Sequence, residues 1–251
     1  MNYKLPKRIP RIYKFPKSLG YVAPPYSYQQ SEPLYVPFYN RLSRLFDRQR
    51  IDLENSGTVN KLLNKKIIEA DYIKNYLDNN SNIFLKDTYK ALKNYYLKQY
   101  NLTREILQEE IVPDLNRKQK LYIKKISQGI NDHTKDRVTS LIQRLIREQT
   151  PSNKAKIEIE SLFNDMGQYR SERISRTELT KADNESKFDI AKENNNTKKK
   201  WILSEICKTK HCRVCRENSN IGWIKINERF SSGNLYPPPH PNCSCGIIFK
   251  G

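Results

Sequence analysis

Apolar residues recur at helical spacing along most of the chain. From about residue 41 to residue 196 they fall at i, i+3 and i+4 steps, which places them on one face of a helix. The stripes are Leu42, Leu45 and Phe46; Leu62, Leu63, Ile67 and Ile68; Leu85, Tyr89, Leu92 and Tyr96; Ile123, Ile126 and Ile130; and Val138, Leu141, Ile142, Leu145 and Ile146. The pattern predicts a helical body over residues 41–196.

Cap and breaker residues divide this body into separate helices. Pro151 disfavours helical backbone at the residue before it, so the stripe that ends at Ile146 should stop there. The other predicted boundaries are a break at 80–82, a start near Pro113, a cap at Ser152 for a helix carrying Ile157, Ile159, Leu162 and Phe163, a stop at Gly167, and a last polar helix over 168–196.

The residue types change at both ends of the chain. From residue 197 onward, short β-type pieces at 201–203, 222–226 and 246–249 predict a small α+β domain over 197–251. Residues 1–40 contain seven of the 13 prolines and seven of the 16 tyrosines, and predict an extended, basic arm. The predicted fold class is therefore mainly α, with this arm and a small C-terminal α+β domain.

Positive charge is concentrated in two segments. The net charge is +19, of which residues 1–50 and 196–216 supply 14 charges. Localised basic charge favours a polyanion partner, here double-stranded DNA bound without sequence preference, although an acidic protein surface or a merely solvated surface is also compatible with it. The candidate contacts are Lys7, Arg8, Arg11, Lys14, Lys198, Lys199 and Lys200.

No apolar run reaches the length of a signal peptide or a membrane span, so we expect a soluble protein made in a cytosol, without a membrane span. Clustered cysteines in a reducing compartment are more often metal ligands than disulfides. Four of the five cysteines lie in the last forty residues, so we expect a metal site there.

Five potential metal ligands lie in this C-terminal segment. Cys212 and Cys215 are one helical turn apart, and His240, Cys243 and Cys245 follow. Soft ligands at this spacing can surround one Zn²⁺ tetrahedrally. We favour Cys212, Cys215, His240 and Cys245, with Cys243 as the substitute, and expect a structural ion because four protein ligands leave no position for substrate.

Two neighbouring residues fit this site less well. Cys207 is interpreted as a small buried thiol and His211 as a surface imidazole, and neither is expected to bind metal. A cluster of reduced, metal-free cysteines is the alternative to the whole site.

Four motifs occur in a recognisable order. They are the run from Arg173 to Asn184 that contains Arg176-Thr177-Glu178, then Lys200-Trp201, then the Cys212/Cys215 pair, and finally Pro239-His240-Pro241 followed by the last two cysteines. Over residues 150–251 the chain resembles the phage Mu F-like minor head proteins, also called head morphogenesis proteins. It differs from the family pattern at 207–211, at 217–222 and at Ser244, where an arginine is usual, and none of these differences removes a candidate ligand.

The resemblance implies a structural, non-enzymatic component of a phage virion. Such a protein lies at the portal vertex or the capsid interior, contacts portal or major capsid protein, and acts in head assembly or in DNA packaging and delivery. Arg173, Arg176, Thr177, Glu178 and Trp201 are then structural residues, and one of the arginines is expected to clamp backbone carbonyls or Glu178 where the helix meets the zinc-bound sheet.

Two other classes remain open at this stage. One is a zinc-dependent enzyme, either a nuclease-like toxin or an ADP-ribosyltransferase relative that uses Arg176 and Glu178. Such an enzyme needs an open metal position or an accessible carboxylate. The other is a free nucleic-acid-binding zinc protein, which would read base edges and prefer a sequence.

Overall fold

The computed structural model describes residues 32–80, 84–204 and 212–251. Most of them are helical. The helices are α1 (Glu32–Asn55), α2 (Thr58–Lys65), α3 (Ala70–Asn80), α4 (Phe84–Ile106), α5 (Arg117–Arg147), α6 (Ser152–Asp165), α7 (Ser171–Glu193) and α8 (Arg213–Asn220). Three short strands follow the bundle: β1 (Lys198–Ile202), β2 (Trp223–Lys225) and β3 (Gly246–Lys250).

The apolar stripes form the core of the helical bundle. Leu62, Leu92, Ile123 and Ile142 are completely buried and belong to one continuous cluster built from α1 to α7. Within the bundle, α4 packs against α1, α5 and α7. The prediction of a mainly helical fold is confirmed.

Several predicted boundaries shift by a few residues. α5 begins after Asn116, whose side chain accepts a hydrogen bond from the backbone N–H of Gln119, and not at Pro113. The side chain of Gln119 in turn accepts a hydrogen bond from the backbone N–H of Asn116, which completes a capping box. α2 ends at Lys65, so Ile68 does not continue its stripe and is exposed.

The predicted cap and stop of α6 are wrong. Pro151 occupies the N-cap position, and the Ser152 side chain makes no cap bond. Gly167 does not end the helix, because a π-helical turn at Met166–Arg170 connects α6 directly to α7. A Cβ atom at Gly167 would lie 3.2 Å from Ser43 Oγ of α1, so glycine here permits close helix packing.

The predicted N-terminal arm is partly wrong. Residues 32–40 belong to α1, and Phe38 is completely buried on the stripe that continues to Leu42. Pro33 lies in the first turn, where backbone N–H groups have no intrahelical acceptor, so it does not prevent the helix from starting there. Residues 1–31 lie outside the described part of the chain.

The three strands form an antiparallel sheet in the order β2-β1-β3. In the central strand Lys199 and Trp201 lie on the buried face, and Trp201 is paired with Ile247 of β3. This face belongs to a second hydrophobic core, which also contains Cys215, Cys243 and Cys245. A small C-terminal sheet is therefore present, as predicted.

α7 belongs to both cores. Its first half contributes Ile174, Leu179 and Ala182 to the bundle, whereas Phe188 and Ala191 pack in the second core. α7 therefore connects the bundle to the sheet and lies beside the segment that carries the C-terminal cysteines. Within the described residues, none of these helices has the length and apolarity to cross a membrane.

Candidate metal centre

The C-terminal cysteines are supplied by one helix and one loop. Cys212 is the N-cap residue of α8, and Cys215 lies one turn into that helix. His240, Cys243 and Cys245 lie on the loop that leads into β3. Cys215, Cys243 and Cys245 are buried, whereas Cys212 and His240 are partly exposed. The cluster thus lies at the edge of the second core, with three cysteines inside it.

The ligand atoms lie within coordination range of one another. His240 Nε2 is 2.9 Å from Cys212 Sγ and 3.3 Å from Cys215 Sγ, and Cys215 Sγ is 3.6 Å from Cys243 Sγ. Two groups of three donors share Cys215, one with Cys212 and His240 and the other with Cys243 and Cys245. Zinc–sulfur bonds of about 2.3 Å place tetrahedral donors about 3.5–3.8 Å apart, so either group can hold a metal ion.

The imidazole of His240 is oriented toward the thiols. Its Nδ1 lies 2.9 Å from the carbonyl oxygen of Pro241. A carbonyl only accepts hydrogen bonds, so Nδ1 donates in this contact. In the tautomer with the proton on Nδ1 alone, the lone pair of Nε2 is directed at Cys212 and Cys215. This second hydrogen bond is the usual way in which a metal-binding histidine is fixed.

The Arg-Thr pair of α7 holds the cysteine loop. Arg176 donates a 2.7 Å hydrogen bond to Asn242 Oδ1 and pairs with Glu172 at 2.7 Å. Thr177 Oγ1 accepts a 2.9 Å bond from the backbone N–H of Asn242. Asn242 has a φ of 65°, a left-handed conformation that asparagine tolerates, and it lies directly before Cys243. Arg176 therefore anchors the loop through an asparagine side chain. The clamp of Arg176 or Arg173 on backbone carbonyls or Glu178 stays a prediction.

Two further contacts of α7 hold the same loop. Asn184 Nδ2 donates a 3.0 Å bond to the carbonyl oxygen of Cys245. Tyr236, at the start of the loop, packs its ring against Phe188 with centroids 5.2 Å apart. Burial raises the pKa of Tyr236, and the nearby carboxylate of Glu185 raises it further. The helix therefore contacts the loop before, within and at the end of the segment that carries the ligands.

Glu178 faces the bundle and not the metal cluster. It is buried and accepts a 2.9 Å hydrogen bond from Tyr122 of α5. Burial raises its pKa to about 7, and the bond from Tyr122 opposes this shift. A carboxylate in this position cannot reach a substrate in solution, so the Arg176–Thr177–Glu178 run lacks the accessible acid that an ADP-ribosyltransferase site requires.

Two predicted residues of β1 are fully buried. Trp201 packs edge-on against Phe230, with ring centroids 5.0 Å apart, in the core that contains the cysteines. Lys199 shares this face, and its ammonium lies 5.1 Å and 5.4 Å from the ring centroids of Phe188 and Phe230. The prediction of Lys199 as a nucleic-acid contact is wrong, because strand alternation turns its side chain inward.

The other predicted basic contacts differ in their accessibility. Lys198 is exposed and Lys200 is half-buried. Lys7, Arg8, Arg11 and Lys14 lie outside the described residues, as do Cys207 and His211. Arg173 is exposed, and its backbone carbonyl accepts a 2.7 Å bond from Thr177 Oγ1.

A comparison with protein families places this geometry in a known context. Residues 120–248, from α5 to β3, match the family described as phage Mu protein F like protein. The chain belongs to this family. Membership indicates a protein of phage head morphogenesis, in a family that is generally structural rather than catalytic. Searches of curated proteins and of solved structures found no match.

The match confirms the resemblance and extends it. It begins thirty residues before residue 150, where the resemblance begins, and it includes Tyr122, the partner of Glu178. The Mu F-like region therefore contains the cysteine cluster, the sheet, the helix that holds the cysteine loop, and most of α5.

Sequence reasoning missed several residues that shape the centre. No sequence pattern identifies Asn242 and Tyr236, because their partners on α7 are about fifty residues or more away along the chain. Asn218 is a third case: it is buried, and its side chain bonds to Ser231 and Ser232, which fixes α8 to the following loop. A buried asparagine in a short polar helix can be recognised only from tertiary contacts.

Proposed function

We propose that this Mu F-like protein is a structural minor head component of a tailed bacteriophage. It acts at the portal vertex or the capsid interior, in head assembly or in DNA packaging and delivery, and it contacts portal or major capsid protein. The observation that carries the proposal is the family match over α5 to β3, together with the use of the motif residues as internal supports.

The Cys/His cluster acts in this proposal as a structural zinc site. Cys212, Cys215 and His240 supply three ligands, and the fourth is Cys243 or Cys245. The 3.6 Å contact between Cys215 and Cys243 favours Cys243, and the backbone N–H of Cys245 also lies 3.4 Å from that sulfur. This preference reverses the one stated from the sequence, where spacing could not decide between Cys243 and Cys245. A site with four protein ligands stabilises a fold and leaves no position for a reacting molecule.

Metal analysis of the purified protein tests the zinc site. We expect about one zinc per chain, and Cys212→Ser should release it, whereas Cys207→Ser should retain it. Metal-free protein with a fully folded C-terminal unit would contradict the proposal. A zinc ion that keeps an exchangeable water would instead favour the enzyme class.

The protein contacts double-stranded DNA without sequence preference in this proposal. Lys198 and Lys200 on β1 add to the basic residues Lys7, Arg8, Arg11 and Lys14. Neutralising phosphates releases counterions, so affinity should fall steeply with salt and be the same for unrelated duplexes. An affinity for DNA that does not change with salt would contradict the proposed DNA contact. A strong preference for one DNA sequence would favour a free nucleic-acid-binding protein.

Particle composition tests the proposed location. Mass spectrometry of purified virions should detect the protein in mature heads, and deletion of its gene should yield particles with defective assembly, packaging or DNA delivery. A protein that is absent from virions and dispensable for infectivity would contradict a head role, whatever metal it binds.

A further inference from the structure

The bundle carries a basic groove with an apolar floor. This groove of about 760 Å³ lies between α4 and α5, with Tyr89 and Leu121 along it and Arg117, Lys120 and Lys124 around it. Leu121 is 58% exposed, so the groove presents a large apolar side chain to a partner. We call this surface the α4–α5 groove.

The groove has a net positive charge that is not neutralised internally. Lys120 pairs with Asp114 at 2.8 Å. Among the described residues, Arg117 and Lys124 have no ion-pair partner. A second groove adjoins the first at Tyr89 and adds Arg41 and Lys90 to the positive surface. An occupant should therefore bring both carboxylates and an apolar side chain.

The same molecule carries a surface with these two properties. The segment 105–111, which ends α4 and forms the following turn, contains Glu105, Glu109 and Glu110 beside Ile106 and Ile111. Ile106 is 46% exposed and Ile111 is 61% exposed, and none of the three glutamates has an ion-pair partner within the described residues. We call this segment the acidic turn.

The acidic turn is held in a fixed position. Asn101 exchanges two hydrogen bonds with the backbone of Val112, at 2.8 Å and 3.0 Å, and Arg104 Nε donates to the carbonyl of Glu110. Ile106 lies 17 residues beyond Tyr89 on the same helix, about 25 Å away at 1.5 Å per residue. The bonds of Asn101 and Arg104 hold Val112 and Glu110 against α4, so the turn does not occupy its own groove. Only a second molecule can bring the two surfaces together.

We propose that the α4–α5 groove binds the acidic turn of a second copy of this chain. The contact joins two different surfaces, so repeated head-to-tail addition gives a ring or a filament, and two reciprocal contacts give a dimer. Charge complementarity orients the copies, and burial of Ile106 and Ile111 against Leu121 and Tyr89 supplies apolar contact. Residues 1–31 are basic and contain no acid, so they do not complement the groove.

Charge reversal on each surface tests this interface in the full-length protein. The groove variant is Arg117→Glu with Lys124→Glu, and the turn variant is Glu105→Lys with Glu110→Lys. All four residues are exposed. Glutamate at the start of α5 and lysine at the end of α4 also suit the helix dipoles, so both variants should fold. Lys61→Glu with Lys154→Glu makes the same charge change elsewhere and is the control for the groove variant.

Sedimentation velocity over a range of concentrations and salt gives the readout. The wild type should self-associate, less strongly at high salt, and each variant should weaken association by about tenfold or more. The chain that combines both variants should recover association, because its groove is acidic and its turn is basic. The control should behave as the wild type.

Several outcomes would overturn the proposal. These are a wild type that stays monomeric at all accessible concentrations, single variants that associate normally, or a combined chain that does not recover. A groove variant that loses binding to duplex DNA but keeps self-association would assign the groove to nucleic acid. This inference goes beyond the head-protein proposal, since neither surface includes a residue of the Cys/His cluster.

Discussion

The bundle core contains 26 buried hydrophobic side chains among the described residues, whereas the C-terminal core contains 11, of which three are cysteines. The first core is assembled from helices up to 31 residues long. The second combines the end of α7 with strands of three to five residues and one eight-residue helix. Elements this short bury little apolar surface, so a unit of this size usually depends on a cross-link or a metal.

The two regions also differ in how polar groups are used. In the bundle, polar side chains bond to each other between helices: the buried Glu178 accepts a hydrogen bond from the partly buried Tyr122. In the C-terminal unit they hold loops: Asn184 bonds to the backbone of Cys245, and Asn218 bonds to Ser232. The second region therefore depends on a few specific bonds and on its cysteines, which makes it the more fragile to single changes.

The largest expected effect comes from Cys215→Ser. This residue is shared by both groups of potential ligands and is completely buried, so its loss should remove the metal and unfold the C-terminal unit. Both tryptophans, Trp201 and Trp223, lie in that unit, so their fluorescence should shift to that of the unfolded chain. Far-UV circular dichroism should retain most of its helical signal.

A chelator should reproduce this result in the wild type, and added zinc should reverse it. Cys207→Ser is the matched control and should change neither signal. If the helical signal is lost when the tryptophan fluorescence shifts, the bundle does not stay folded without the C-terminal unit. The contrast between the two cores would then be wrong.

The second prediction concerns Glu178→Gln and the pH dependence of the bundle. Burial raises the pKa of Glu178 from 4.5 to about 7, so between these values the folded chain keeps a proton that the unfolded chain has lost. Stability should therefore fall as pH rises through this window, by about 3 kcal/mol at most. The glutamine variant should lack this loss and be more stable than the wild type at pH 8.

Denaturant unfolding monitored by circular dichroism measures this difference between variant and wild type. At about pH 3, more than one unit below the unfolded pKa of 4.5, the two should be about equally stable, because the glutamate is then neutral in both states. Lys181 keeps Glu185 as a partner at 4.0 Å in the variant. A variant that is less stable than the wild type at pH 8 would show that the ionised carboxylate is stabilising, which contradicts a penalty from burial.

The helical fold could be predicted from sequence because its core residues repeat along one face. The stripe through Ile142 and Leu145 is buried as expected. Local signals failed where tertiary packing decides the outcome. Ile157 fits the stripe of α6 but is 65% exposed, and Gly167 resembles a helix stop but permits contact with Ser43. Spacing shows which residues share a face, but it does not show which face meets a neighbour.

The candidate site could be predicted as a group but not in detail. Spacing alone indicated that Cys212, Cys215 and His240 converge, and their ligand atoms do lie together. The run of three lysines before Trp201 contained no alternation that could identify Lys199 as buried, because identical side chains carry no pattern. Contacts such as that between Arg176 and Asn242 join residues 66 positions apart, and a single sequence does not reveal them.

The third prediction addresses the connection between the two regions. Asn184→Ala removes the bond to the carbonyl of Cys245 and leaves that buried group without this partner, which should cost about 2 kcal/mol. The loss should appear mainly in the tryptophan transition and in zinc affinity. Thr177→Val removes a partly exposed contact to the same loop and should cost less. Equal losses in both optical transitions would mean that the two cores unfold as one unit.

The smallest effect is expected for Lys199→Met. This variant tests whether the buried ammonium of Lys199 lowers the stability of the second core. The Lys199 ammonium is buried without a hydrogen-bond acceptor among the described residues, and burial lowers its pKa to about 8. Methionine keeps the length of the side chain and its contacts with Phe188 and Phe230, so stability should rise by about 1 kcal/mol at neutral pH. The gain should shrink as pH rises from 8 to 10.5, because the unfolded lysine then retains a proton that the folded lysine has lost. Tryptophan-monitored unfolding at pH 7 and pH 10 measures both values; a stability loss at pH 7 would show that the contacts between the ammonium and the two rings outweigh its desolvation.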